Sequence, residues 1–159
     1  MADSIAFLAE RLKVEGDKSL MFFNSLHEDQ WSRKVYTENS IWKVRDILSH
    51  FVTAEQGFLR LFKDILTGGP GARVDFDIDS FNADRFARMK DVSYQELIGL
   101  FHDVRADMIA LVTAMDESDL LKPGRHPFLG ETTLGEMIKM VYRHNQIHHR
   151  DIRELMADQ

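Results

Sequence analysis

The stretch TLGEMIKMVYRHNQIHHRDIREL, Thr133 to Leu155, decides how the chain is read. Its apolar residues Met137, Ile138, Val141, Ile152 and Leu155 recur at helical spacing. Thr133 followed by Glu136 is a helix start signal, a hydroxyl with a carboxylate three residues on. A long helix beginning near Thr133 is therefore expected. Residues four apart share a helix face, so His144 and His148 present their imidazoles to one side. That side also carries Met137, Val141, Asp151 or Ile152, and Leu155, so it should face a bundle interior. Imidazoles buried there cost stability unless each is hydrogen-bonded or coordinated. His149 points roughly 100° away and is expected at the surface or behind the pair. H-x-x-x-H also arises by chance, so two ordinary polar neighbours are the competing reading.

Three more segments carry helical periodicity. The first runs from about Ser4 to Leu26, with Ile5, Leu8, Leu12, Leu20, Phe23 and Leu26 on its apolar face. The second follows Asn39-Ser40, read as an N-cap, and stops at Gly68-Gly69-Pro70-Gly71, where glycine permits positive φ and proline cannot continue a helix. The third follows Ser93, its cap, with Glu96 in the capping-box position. Phe81–Lys90 reads as a short extra helix in a long crossover, and nothing between the helices reads as a paired strand. The expectation is an all-α chain, a single domain over 1–159: a four-helix bundle with the crossover between helices two and three. No internal repeat is visible.

Composition narrows the chemistry. The chain has 159 residues and no cysteine, which removes disulfides, thiolate metal sites and a cysteine nucleophile together. Any metal must be held by histidine and carboxylate. With 26 acidic against 20 basic residues the formal charge is -6, the wrong balance for a phosphate backbone, so no nucleic-acid partner is expected. The longest uncharged apolar run, MIALVTAM, is too short to span a bilayer. MADSIAFLAERLK has no basic start followed by an apolar stretch, so a cytoplasmic location is expected.

A third metal ligand would have to come from elsewhere, and His50 in DILSHFVTAEQGF is the candidate. Its face includes Asp46, Ile47, Ala54 and Gly57, and the two small residues leave room that Leu or Phe would fill. Asp46, four residues earlier, could orient its ring. The alternative is a core-edge histidine bonded to a backbone carbonyl. Asn145 stands where H-E-x-x-H would need glutamate, and no E-x-x-H occurs, so zinc-protease and di-iron carboxylate patterns are absent. So are the G-x-S-x-G, P-loop and dinucleotide fingerprints.

W-x-V-R-D-I-L-S-H, Trp42 to His50, combined with H-x-x-x-H-x-x-D-I-R, His144 to Arg153, resembles the DinB-like superfamily. F-D-I-D-S-F-N, Phe76 to Asn82, and the T-L-G-E start of the last helix are similar to it too. The resemblance spans nearly the whole chain. It implies a four-helix bundle, often a homodimer, with a metal on His50, His144 and His148. His148 is preferred to His149, whose partner four residues back would be Asn145.

Three neutral imidazoles leave the ion's charge uncompensated and a coordination position open, which suits activating water or a small thiol. Zinc and nickel suit imidazole best, and iron or manganese with an added oxygen ligand. The resemblance implies a hydrolase, or a thiol-dependent transferase or isomerase, acting on a small molecule. The alternative is a dimeric metal-binding or stress-response module without catalysis. Glu55 and Asp151 lie near the metal faces and are read as solvated or ring-orienting carboxylates rather than general bases. Arg143, Arg150 and Arg153 are read as surface charges, one of which could meet an acidic substrate, and His27, His102 and His126 as incidental. Trp31, Trp42 and Tyr36 pack the bundle end or wall a pocket; Met21, Met89, Met108, Met115, Met137 and Met140 fill the core or an interface.

Overall fold

The computed structural model describes residues 3–158; the expected domain's residues 1, 2 and 159 lie outside them. The elements run α1 (Ile5–Asn24), β1 (Lys34–Tyr36), β2 (Trp42–Lys43), α2 (Val44–Leu66), α3 (Ile78–Met89), α4 (Tyr94–Thr113), β3 (Pro123–His126), β4 (Gly130–Thr133) and α5 (Leu134–Ala157). Ser4, Ser93 and Thr133 each accept the amide hydrogen three residues on, from Phe7, Glu96 and Glu136. These are the caps that open α1, α4 and α5. The crossover helix α3 begins three residues earlier than expected, because Asp77 caps it through the Ser80 amide.

The four long helices form the bundle, and their order in space is not their order in the chain. α4 packs against both α1 and α2, and so does α5, leaving α1 opposite α2 and α4 opposite α5. Each diagonal pair is joined by the same device: a 3-10 turn, Glu28–Ser32 or Glu117–Leu121, then a two-stranded antiparallel hairpin. The expectation that no strands pair therefore fails at both links. Strands this short carry too few alternating residues to announce themselves. The same element order recurs in both halves although the sequence shows no repeat.

The Asn39-Ser40 reading is also corrected. Asn39 lies in the hairpin turn with φ of 64°, a left-handed conformation that asparagine tolerates. α2 starts only at Val44, and Asp46 caps it by accepting from the Lys43 amide at 2.9 Å.

A polar layer divides the core. One apolar cluster contains Leu12, Phe58, Phe62, Met108 and Val141; the other contains Phe23, Phe51, Phe101, Val104 and Ile152. Between them, along every bundle helix, lie Gly16, Glu55, Arg105 and Asn145, all buried. Arg105 donates to both carboxylate oxygens of Glu55 at 2.8 Å, to the Leu12 carbonyl at 2.9 Å and to Asn145 Oδ1 at 2.6 Å. One guanidinium thus touches all four helices. Gly16 makes room for it: a Cβ there would stand 2.9 Å from Arg105 Cγ.

Removing one partner of such a pair leaves an uncompensated buried charge. Arg105→Leu is expected to cost about 3–5 kcal/mol, and Arg105→Leu with Glu55→Leu less than the single change. Urea unfolding of the three proteins checks this, and a double variant weaker than the single would contradict it.

Candidate metal centre

α2 and α5 are neighbours, and the polar layer holds them in register beside the histidines. His50 projects from the second turn of α2; His144 and His148 project from one face of α5. Their Nε2 atoms converge: His50 to His144 is 2.9 Å and His148 to His144 is 3.1 Å. The three ligand atoms lie within 4.8 Å of one another. Nitrogens bound at 2.0–2.1 Å to one tetrahedral zinc ion lie about 3.3 Å apart. The two close pairs need only separate by a few tenths of an ångström to hold an ion between them. As a donor set, three histidines could hold a divalent metal.

The state of His148 follows from its neighbours. Tyr36, on β1, places its hydroxyl 2.7 Å from His148 Nδ1 and donates to Asp151 Oδ2 at 2.5 Å. A phenol has one proton, and here it goes to the carboxylate. Tyr36 Oη must then accept from Nδ1–H, which leaves the lone pair of His148 on Nε2, facing the cluster. Burial, then the Asp151 hydrogen bond and charge, raise the Tyr36 pKa, so the phenol keeps its proton.

Burial keeps the imidazoles neutral. It pushes His50 down to about 3, assisted by the charge of His148, and His148 to about 4 against the pull of Asp151. His144, nearly sealed, is driven well below its ordinary value by burial and then by the histidines around it. Neutral imidazole is the form that binds a metal. Aromatic rings enclose the cluster. Trp42 meets His50 at 5.0 Å between ring centroids, Phe51 meets His148 at 5.9 Å and Phe128 meets His144 at 6.1 Å.

Several expectations change. Asp46 does not orient His50, because its carboxylate caps α2 and pairs with Arg45, and His50 Nδ1 is buried without a hydrogen-bond partner. Asp151 reaches His148 only through the Tyr36 hydroxyl. Glu55 is not solvated, since both its oxygens take Arg105. His149 is not at the surface. α5 is buried on a second face toward α1, where His149 Nε2 lies 2.8 Å from Ser19 Oγ and the ring packs on Phe22 and Phe23.

His126 is not incidental to the fold: fully buried, its Nδ1 accepts the amides of Phe128 and Leu129 and shapes the β3–β4 turn. Trp42 and Tyr36 wall the cluster, whereas Trp31 packs the bundle end between Phe23 and Tyr94. No motif marks Arg105 in the sequence, but it continues the stripe Phe101, Val104, Met108, where a charge implies a buried partner.

The room expected beside Ala54 and Gly57 exists. An apolar cavity of about 250 Å³ opens next to His50, walled by Phe58, Phe81 and Phe128.

A helical bundle with a preformed, neutral three-imidazole cluster beside a small cavity is the class of protein this geometry defines. The sequence profile of the DinB superfamily matches residues 11–152, and the chain belongs to that superfamily. No protein of curated function matches it significantly. Among solved structures it is similar to YfiT from Bacillus subtilis, described as a probable metal-dependent hydrolase with an unusual four-helix bundle topology. That match has 18% identity and a TM-score of 0.78, and covers 99% of this chain and 90% of YfiT. It is similar to DfsB, described as a sibling lethal factor precursor, at 15% identity and TM-score 0.77, covering 100% and 98% of the two chains. It is also similar to the colibactin self-resistance protein ClbS, solved in complex with double-stranded DNA, at 12% identity and TM-score 0.74 over 97% and 98% of the chains. At these identities the likeness is one of fold. No helix among the described residues is long and apolar enough to cross a membrane.

The histidines make the metal-free fold acid-labile. Each lowered pKa means that the unfolded chain binds protons more readily than the folded one below the ordinary value of 6.5. Stability is therefore complete above about pH 7 and falls as pH drops from about 6.5 toward 4. Urea midpoints of metal-free protein from pH 8 to pH 4 measure this; a midpoint unchanged between pH 7 and pH 5 would contradict it.

Proposed function

We propose that this protein is a metal-dependent enzyme acting on a small molecule, with His50, His144 and His148 holding a divalent ion, zinc or nickel in first place, through Nε2. The observation that carries the reading is the convergence of three neutral imidazole nitrogens, one with its tautomer set by Tyr36 and Asp151. Bound there, the ion supplies Lewis acidity at an open coordination position, suited to hydrolysis or to a transfer using a small thiol.

The chain's own residues do the rest. Tyr36 and Asp151 hold the His148 ring in its productive tautomer. Trp42, Phe51 and Phe128 pack around the imidazole rings, and the cavity beside His50 would receive the substrate. Iron or manganese would need an added oxygen ligand. Asp151 is the carboxylate nearest in bonding terms, one hydroxyl from His148. Family resemblance further supports a homodimer.

Protein purified without a histidine tag is expected to carry about one divalent ion per chain by mass spectrometry. His50→Ala, His144→Ala and His148→Ala should each largely abolish it; retention in all three would remove the site. Tyr36→Phe should keep the site but weaken metal affinity about 10–100-fold, since it withdraws the group that orients a ligand. Turnover is then sought on esters and amides, and separately on electrophiles offered with small thiols. Metal bound without turnover on either set identifies a non-catalytic module instead.

A further inference from the structure

The cavity beside His50 is lined by one arginine, Arg60, at its exposed rim. The cavity runs from His50 along α2 and under α3, and its side chains are apolar apart from His50, Arg60 and Asn82. Arg60 takes part in no ion pair among the described residues. Its side chain is exposed, and the guanidinium lies over Gly57. Nη2 lies 3.9 Å from where a Cβ on Gly57 would be, and Phe81 Cζ lies 3.6 Å from the same point. A free charge is thus folded back over the mouth of an apolar space.

We propose that this cavity binds a small carboxylic acid with an apolar body about one ring in size, its carboxylate on Arg60 and its far end toward His50. The volume fits: about 250 Å³ is more than the roughly 150 Å³ that accommodates a benzene ring, and less than a drug-sized ligand fills. The polarity fits as well. The walls offer almost no hydrogen bonds to a polar body, whereas a carboxylate reaching the rim gains a charge-assisted one. A cationic ligand would meet Arg60 with the wrong sign, and a fully apolar one would gain nothing from it, leaving the guanidinium to water. The ligand's orientation rests on the reading of the histidines as the reacting end; its binding does not.

The test is therefore made on metal-free protein, by calorimetric titration with phenylbutyrate, phenylbutanol and phenylbutylamine. These probes share the body and differ in the charge at its end. The acid is expected to bind about five- to tenfold more tightly than the alcohol, and the amine most weakly. Arg60→Ala, a change at an exposed side chain, should bring the acid down to the alcohol. Gly57→Leu, at a helical position where leucine is favoured over glycine, should fill the cavity and remove all binding while the helical circular dichroism is kept. Equal binding of acid and alcohol, an acid preference that survives Arg60→Ala, unchanged binding in Gly57→Leu, or no binding to the native chain would each overturn the proposal. None of these outcomes depends on whether the histidines hold a metal.

Discussion

The guanidinium of Arg105 is the constraint on which the arrangement turns. It uses four of its five donors on groups from the other three bundle helices. A charge can be buried at the centre of a small bundle only if its partners converge from all sides, and here they do. Because Glu55 lies five residues after His50, and Asn145 follows His144 directly, this network fixes the relative height of α2 and α5 where the histidines must meet. Apolar packing above and below would tolerate sliding by fractions of a turn. Directional bonds to one planar group would not.

Diagonal connectivity gives the hairpins their purpose. To join helices that stand diagonally across the bundle, each link must cross its end, and a bare loop there would leave backbone groups unpaired. The 3-10 turn and hairpin satisfy that backbone while spanning the gap. The β1–β2 link also places Tyr36 and Trp42 against the cluster, so the same device that closes the fold supports the site. Its counterpart delivers Phe128 from the opposite end.

What the sequence disclosed follows from periodicity. Helix faces, the stops at glycine and proline and the caps at Ser93 and Thr133 are local signals, and local geometry honours them. Placing His50 opposite His144 and His148 took the family resemblance as well, since nothing local to Ile47–Gly57 distinguishes a site histidine from a core one. The hidden features are relational. Tyr36 matters only because a three-residue strand lays it across α5, and Asp46 serves its own helix start because the helix begins later than Asn39-Ser40 suggested. His149 is buried because α5 meets both α1 and α2 and so has two buried faces, where a single apolar stripe implies one. Arg60 could not be read as a pocket residue without knowing that α3 folds over Gly57.

The contact between His50 and His144 spans 94 residues of chain. Contacts of such long sequence separation form late, after local helices and after loop-closure entropy has been met. α1 to α3 alone hold a single imidazole of the three, and the first half of the molecule has nothing with which to grip an ion. The cluster comes into being only when the last helix docks in correct register. Metal uptake would accordingly report on the completeness of folding, since misregistered or half-assembled chains would not have the three nitrogens together.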